Sequence, residues 1–110
     1  MADARADLLE TLEAHYRASG WRARRSERTI EASGPGGVTW IGRAVLSEDL
    51  RSDRFETEIV ELADRRMPSG GELCPLDLLP DPGAESALRE LLDRTGLSRR
   101  PHVSVYSFAA

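Results

Sequence analysis

Residues Val38 to Leu46, V-T-W-I-G-R-A-V-L, alternate in character along the chain, and that alternation constrains the fold more than any other stretch. A strand sends successive side chains to opposite faces. Val38, Trp40, Gly42, Ala44 and Leu46 suit a packed face, and Thr39, Ile41, Arg43 and Val45 make up the other. A second alternating run, Phe55 to Ala63, follows the polar connection S-E-D-L-R-S-D-R. Folding the two runs into a hairpin sets Leu46 opposite Phe55, Ala44 opposite Thr57 and Gly42 opposite Ile59 on the core side. Arg43 then faces Glu58, and Ile41 faces Val60, on the other side. A slip of one residue would set apolar side chains across from the outer face of the neighbouring strand, so this register is strongly specified.

The chain has 110 residues, which fits one domain spanning 1–110. With 40% hydrophobic and 31% charged residues it is too apolar for intrinsic disorder, and no stretch approaches a membrane span. The N-terminus M-A-D-A-R-A-D lacks an apolar signal core and one cysteine forms no internal disulfide, so a cytoplasmic protein is expected. All 15 cations are arginine, with no Lys, Asn or Gln, a bias typical of GC-rich bacterial coding. The arginines are therefore not read as a nucleic-acid signature, and a net charge of −4 repels a polyanion at long range.

In chain order, residues 3–19 are predicted to form an amphipathic helix with Leu8, Leu9, Leu12 and Tyr16 on one stripe and a Glu13–Arg17 pair outside it. His15 lies beside that stripe. The segment W-R-A-R-R-S-E-R-T-I-E-A is predicted as one strand, joined to the Val38 strand by the turn S-G-P-G-G. That turn sets Ile30 opposite Trp40 and requires a bulge near Arg25 to Glu27, since otherwise Ser26 and Arg28 would face the core. Arg22, Arg24, Arg25 and Arg28 beside Trp21 make the best case for nucleic-acid binding. A solvated strand face is the preferred reading, because Glu27 and Glu31 interrupt the cluster.

Residues 67–82 carry prolines and glycines together with Leu73, Cys74, Leu76, Leu78 and Leu79, and are read as a long connection whose leucines cap the core or form a binding loop. A second helix is predicted from Pro82 to Thr95, capped by Asp81, with Leu88, Leu91 and Leu92 inward and Gly96 as its stop. Glu85–Arg89 and Glu90–Arg94 are spaced as i,i+4 pairs. The segment P-H-V-S-V-Y-S-F is a C-terminal edge strand with Val103 and Val105 on one face and His102, Tyr106 and Phe108 on the other.

Catalytic material is thin: Cys74, His15, His102, Glu72 and Asp77. Cys74 has no sequence-visible activating partner, His102 being its best candidate. Two histidines and one cysteine without close spacing do not make a zinc site, and G-P-G-G lacks the lysine and helix of a phosphate loop. Asp49, Asp53, Glu56 and Glu58 are read as solvated charges at a hairpin tip, with cation binding the weaker alternative. No cofactor or metal is expected.

The expected fold is therefore α+β, in the order α-β-β-β-α-β: a four-stranded, mainly antiparallel sheet with both helices on the Trp40 face. In order alone this resembles secretion-chaperone-like and other small bacterial partner-binding domains. The expected function is that of a non-enzymatic protein-interaction module, an adaptor, chaperone or inhibitor, binding a protein partner or a second copy through the uncovered sheet face. Ile41, Val45, Val60 and Leu62 on that face, with Leu73 and Leu76 from the loop, are the candidate contact residues. The alternative is a small enzyme or ligand-binding protein using residues 67–82, for which a pocket joining Cys74 or Asp77 to a histidine would speak.

Overall fold

The computed structural model describes residues 3–68 and 71–107, so Phe108 and the loop positions 69 and 70 lie outside the described residues. Helix α1, Ala4–Ala18, forms where its periodicity places it: Asp3 accepts the Arg5 and Ala6 N–H groups at 3.0 and 3.3 Å, and Leu9, Leu12 and Tyr16 are buried. At the other end of the chain, a short 3-10 turn at Pro82–Ala84 leads into a helix over Glu85–Thr95 that buries Leu88, Leu91 and Leu92. Gly96, at φ 82°, closes it in the left-handed region that side chains avoid.

Between these helices the chain is α+β, with a five-stranded sheet in the order β1-β2-β3-β4-β5. The strands are β1 Arg22–Arg25, β2 Thr29–Ser33, β3 Thr39–Val45, β4 Leu76–Pro80 and β5 Val103–Val105. The first two replace the single bulged strand expected over 21–32. In place of a bulge the chain makes a tight reversal, in which Ser26 N–H donates to Thr29 O at 2.8 Å. This solves the same parity problem, because Ala23 now pairs with Ala32. Ile30 pairs with Gly42, and Ala32 with Trp40, a two-residue offset from the expected register that keeps every side chain on its expected face. The Gly34 position explains the glycine-rich turn: a Cβ there would lie 2.3 Å from the Trp21 ring.

The larger correction concerns Phe55 to Ala63, which is a helix and not the second arm of a hairpin. A short helix α2, Ser47–Leu50, precedes it, and α3 runs over Phe55–Ala63. Phe55, Ile59 and Ala63 recur every four residues and are buried. Nine residues of F-E-T-E-I-V-E-L-A fit a period of 2 and a period of 3.6 about equally. What separates them is the neighbour of β3, which is β4, drawn from within the supposed 67–82 loop. Leu76–Pro80 is buried throughout and pairs in parallel with β3, Ile41 with Leu76 and Val45 with Pro80. Parallel strands cannot be joined by a hairpin and require a crossover, so the intervening chain becomes helical. The Glu85–Thr95 helix, α4, makes the second crossover, and β5 pairs in parallel with β4.

Both sheet faces are therefore covered, contrary to the expectation of two helices on one face. Leu9, Leu12 and Tyr16 of α1 pack on Ile30, Ala32, Ala44 and Leu79. On the opposite face Ile41, Val45, Leu76 and Leu78 meet Phe55 and Ile59 of α3 and Leu88, Leu91 and Leu92 of α4. Trp40 is half-buried at the margin of the α1 layer, its ring 5.8 Å from that of Trp21, and is not the centre of the core. The closest helix–sheet approach is at Gly42, where an added Cβ would meet the Tyr16 hydroxyl at 2.9 Å and Leu12 at 3.2 Å. Gly42→Ala is expected to destabilise the protein by about 1–3 kcal/mol through overpacking, seen as a lower urea midpoint with an unchanged slope.

Candidate functional site

Two buried polar constellations anchor the helical layers, one on each face. Asp77, in the centre of β4, is 1% exposed and points toward α1. Tyr16 donates its hydroxyl to Asp77 Oδ2 at 2.7 Å, and the Tyr106 hydroxyl bonds the same carboxylate. The His15 ring stands edge-on to Tyr106, with centroids 5.4 Å apart. Burial pushes the Asp77 carboxyl up, and the two phenols offset only part of that shift. The Tyr16 phenol is driven far up by burial and by Asp77. Asp77 is thus an acceptor held by two donors inside the protein, an arrangement that fixes α1 over the sheet.

On the opposite face Arg43, 1% exposed, projects from β3 beneath α3. Its Nε donates to Glu58 Oε2 at 2.5 Å and its Nη1 to Asp49 Oδ2 at 3.2 Å and to the Ala44 carbonyl. The guanidinium lies 5.4 Å over the Phe55 ring. Asp49 is gripped in addition by both Nη atoms of Arg5, at 3.0 and 2.7 Å, and accepts the Leu46 N–H at 2.9 Å. Burial acts to raise its pKa, but the Arg5 bond, the Leu46 N–H and Arg43 together outweigh burial and hold it at about 2. A folded-state pKa below the ordinary 3.8 means that this stabilisation is complete above pH 3.8. It is on the order of 2 kcal/mol and is lost as the pH falls toward 2.

This network floors a cleft of about 900 Å³ whose lining includes Arg5, Arg28, Arg43, Asp49, Phe55 and Glu58. The full lining sets four arginines against six carboxylates. That balance does not suit a phosphate or a nucleic acid. The expected Arg43–Glu58 pair is present, although Glu58 reaches Arg43 from a helix and not from a neighbouring strand.

The remaining reactive candidates are dispersed. Cys74 is buried in the apolar layer under α3 and α4, on the opposite side of the sheet from Tyr16 and Asp77, and burial pushes its thiol pKa up. His102 bonds the Ala63 carbonyl at 2.6 Å through Nε2, at the end of α3. Neither of them, nor Asp77 or His15, lines any of three surface clefts, of about 900, 370 and 230 Å³. Among the described residues no group of three or more His, Cys, Asp or Glu is placed to hold a metal.

The candidate contact residues do not share an open face. Ile41, Val45 and Leu76 are at most 1% exposed, inside the core under α3 and α4. Val60 and Leu62 are half-buried on α3, and Leu73 is half-buried where it bridges to Arg66. The bare sheet face inferred from the hairpin is filled by the chain's own helices.

The sheet instead ends in two unlike edges. Strand β1 exposes Arg22, Arg24 and Arg25, divided between the two faces. Arg24 lies 3.6 Å from Glu31, which also pairs with Arg65 at 2.9 Å, whereas Arg25 pairs with Glu13 of α1 at 2.8 Å. Arg28 in turn lies 3.5 Å from Glu58. The arginine cluster is thus split between faces, with Arg24, Arg25 and Arg28 ion-paired, and forms no single basic patch. Strand β5 carries no charge, and Val103, Ser104 and Val105 are half-buried. His102 O accepts from Leu76 N–H, and Tyr106 N–H donates to Leu78 O, each at 2.8 Å, so the even-numbered residues direct their backbone at β4. Val103 and Val105 direct theirs outward. The Val103 N–H is taken by Arg100 O at 3.1 Å, while Val103 C=O and both backbone groups of Val105 have no partner among the described residues. Beside them runs a groove of about 230 Å³ lined by Arg89, Leu92, Asp93, Ser98 and the two valines. The terminal strand was visible as an apolar alternation, but which of its groups face outward depends on the pairing with β4, a strand hidden in the presumed loop.

No family model, curated protein or solved structure matches this chain.

Two outcomes follow from the buried groups. A carboxyl with a raised folded-state pKa binds more protons folded than unfolded, so its contribution falls as the pH rises above the unfolded value. Asp77→Asn keeps an acceptor for the tyrosines without the charge, so its melting temperature relative to wild type should rise as the pH is raised above the ordinary carboxylate value and level off once Asp77 is ionised in the folded protein. Cys74 should react with an aromatic disulfide reagent only at the rate of unfolding, and at once in denaturant.

Proposed function

We propose that this chain is a non-enzymatic protein-interaction module of the adaptor, chaperone or inhibitor kind, acting in the cytoplasm, and that it takes up an extended segment of a protein partner along β5. The observation that carries this reading is the β5 edge: outward Val103 C=O and Val105 N–H and C=O groups, uncharged side chains and an adjoining groove under α4. Strand addition to an open edge draws its affinity from main-chain hydrogen bonds and its selectivity from pockets for alternate side chains. Both are present here. Natural sheets defend exposed edges with charge, as β1 does with three arginines, and β5 lacks that defence.

The other clefts support the reading by contrast. The charged cleft is floored by Arg5, Arg43, Asp49 and Glu58 already bonded to one another, and Cys74, Asp77 and the two histidines line none of the three clefts described. Among the described residues no helix is long and apolar enough to cross a membrane.

The test is a nitrogen-15 titration with a panel of short peptides of alternating β-branched and polar residues. Shift changes are expected to concentrate at Val103–Val105, Leu92 and Asp93, and Val105→Pro, which removes an outward donor and no ladder bond, should abolish them. Changes centred on the charged cleft, or none at any residue, would refute β5 as the binding edge.

A further inference from the structure

We infer that the occupant of the β5 edge is a second copy of this chain, the two β5 strands pairing antiparallel about a two-fold axis at Ser104 to make one continuous sheet. The inference rests on the reading of β5 as the binding edge and adds the identity of its partner.

An isologous contact requires one surface to complement itself. Pairing about Ser104 sets Val103 of each copy opposite Val105 of the other. It needs from each chain the Val105 N–H and the Val103 C=O, two of the groups that have no partner among the described residues. The Val103 N–H, already engaged by Arg100 O, is not required. All four valines then lie on the α4 side, since Val103 and Val105 share that face with Leu92. The two α4 helices meet above them in opposite directions.

Charge completes the fit. Arg89 and Asp93 both line the groove beside the valines and are four residues apart, so they share one side of α4. A two-fold axis that reverses the helix sets Arg89 of one copy across from Asp93 of the other, and the same pair recurs on the other side of the axis. Arg89 also holds Glu85 of its own helix at 3.2 Å but keeps about half of its side chain exposed, at 53%. The opposite edge offers no such match, because pairing β1 with β1 would bring the exposed Arg22, Arg24 and Arg25 of two chains together.

Sedimentation equilibrium tests this directly. The wild-type protein is expected at twice the mass of one chain. Arg89→Asp alone sets aspartate against aspartate, and Asp93→Arg alone sets arginine against arginine, so each variant should sediment as a monomer with wild-type circular dichroism. An equimolar mixture of the two should recover the dimer, because every contact across the axis then places an arginine against an aspartate. Pairing within one helix cannot produce that recovery. A mixture that stays monomeric while the wild type dimerises overturns the two-fold arrangement. A wild type that is monomeric at millimolar concentration overturns the second copy as occupant, and leaves the β5 edge to the peptide titration. A wild-type dimer that persists in Val105→Pro overturns both.

Discussion

The structure depends on the insertion of Leu76–Pro80 beside β3 in a parallel sense. A parallel neighbour cannot be reached by a tight turn, so the chain from Ser47 onward has to cross the sheet before returning. The α2–α3 segment is that crossing, and α4 is its counterpart between β4 and β5. Both crossovers lie on one face, which leaves the other for α1 and gives a strand such as β4 cover on both sides. The composition of β4, three leucines with Asp77 and Pro80, fits a doubly covered strand better than a surface loop.

In a sheet packed on both faces, polar groups act as locators. Asp77 accepts from Tyr16 and Tyr106 on one face, and Arg43 gathers Glu58, Asp49 and the Ala44 carbonyl on the other. Asp49 in turn ties Arg5 of α1 to the start of α2, so one network joins the first helix to the crossover. Apolar burial is indifferent to small rotations of a helix, whereas a carboxylate bonded by two phenols tolerates only one placement. The bonds to Asp49 stabilise the fold above its titration range, and the same buried groups tie α1 and α3 to the sheet in one orientation. Gly42 is the matching steric feature, leaving room for the Tyr16 hydroxyl where any side chain would intrude.

With both faces covered by the chain's own helices, the sheet ends on one side in β5, whose outward Val103 C=O and Val105 N–H and C=O have no partner among the described residues. Its two edges differ because β1 belongs to an antiparallel meander of charged residues, whereas β5 closes a parallel series of apolar ones. Beside the uncharged β5 edge runs a groove lined by Leu92, Arg89 and Asp93, a setting in which strand addition can combine main-chain bonds with side-chain selectivity.

By itself the sequence determined α1, α4 and its Gly96 stop, the strand character of Thr39–Val45, and the α+β class; the expected Asp81 cap does not form, since α4 begins at Glu85 after the 3-10 turn. Periodicity over 11–15 residues is unambiguous, and Asp3 and Gly96 act within one turn of the helices they bound. It determined as well that Trp40, Gly42 and Ala44 share one face of β3, whereas the Arg43–Glu58 pair, expected from a hairpin that does not form, is made by a side chain of α3. Only the tertiary structure decided that Phe55–Ala63 is a helix, because over nine residues both periods bury Phe55, Ile59 and Ala63. Tertiary contacts likewise decided that Leu76–Pro80 is a strand, since nothing local separates L-D-L-L-P from a leucine-rich loop until β3 and β5 supply partners. Ile41 and Val45 went from exposed to buried for the same reason: the covering of a sheet face is a property of distant elements, and alternation in a single strand carries no information about what will lie above it.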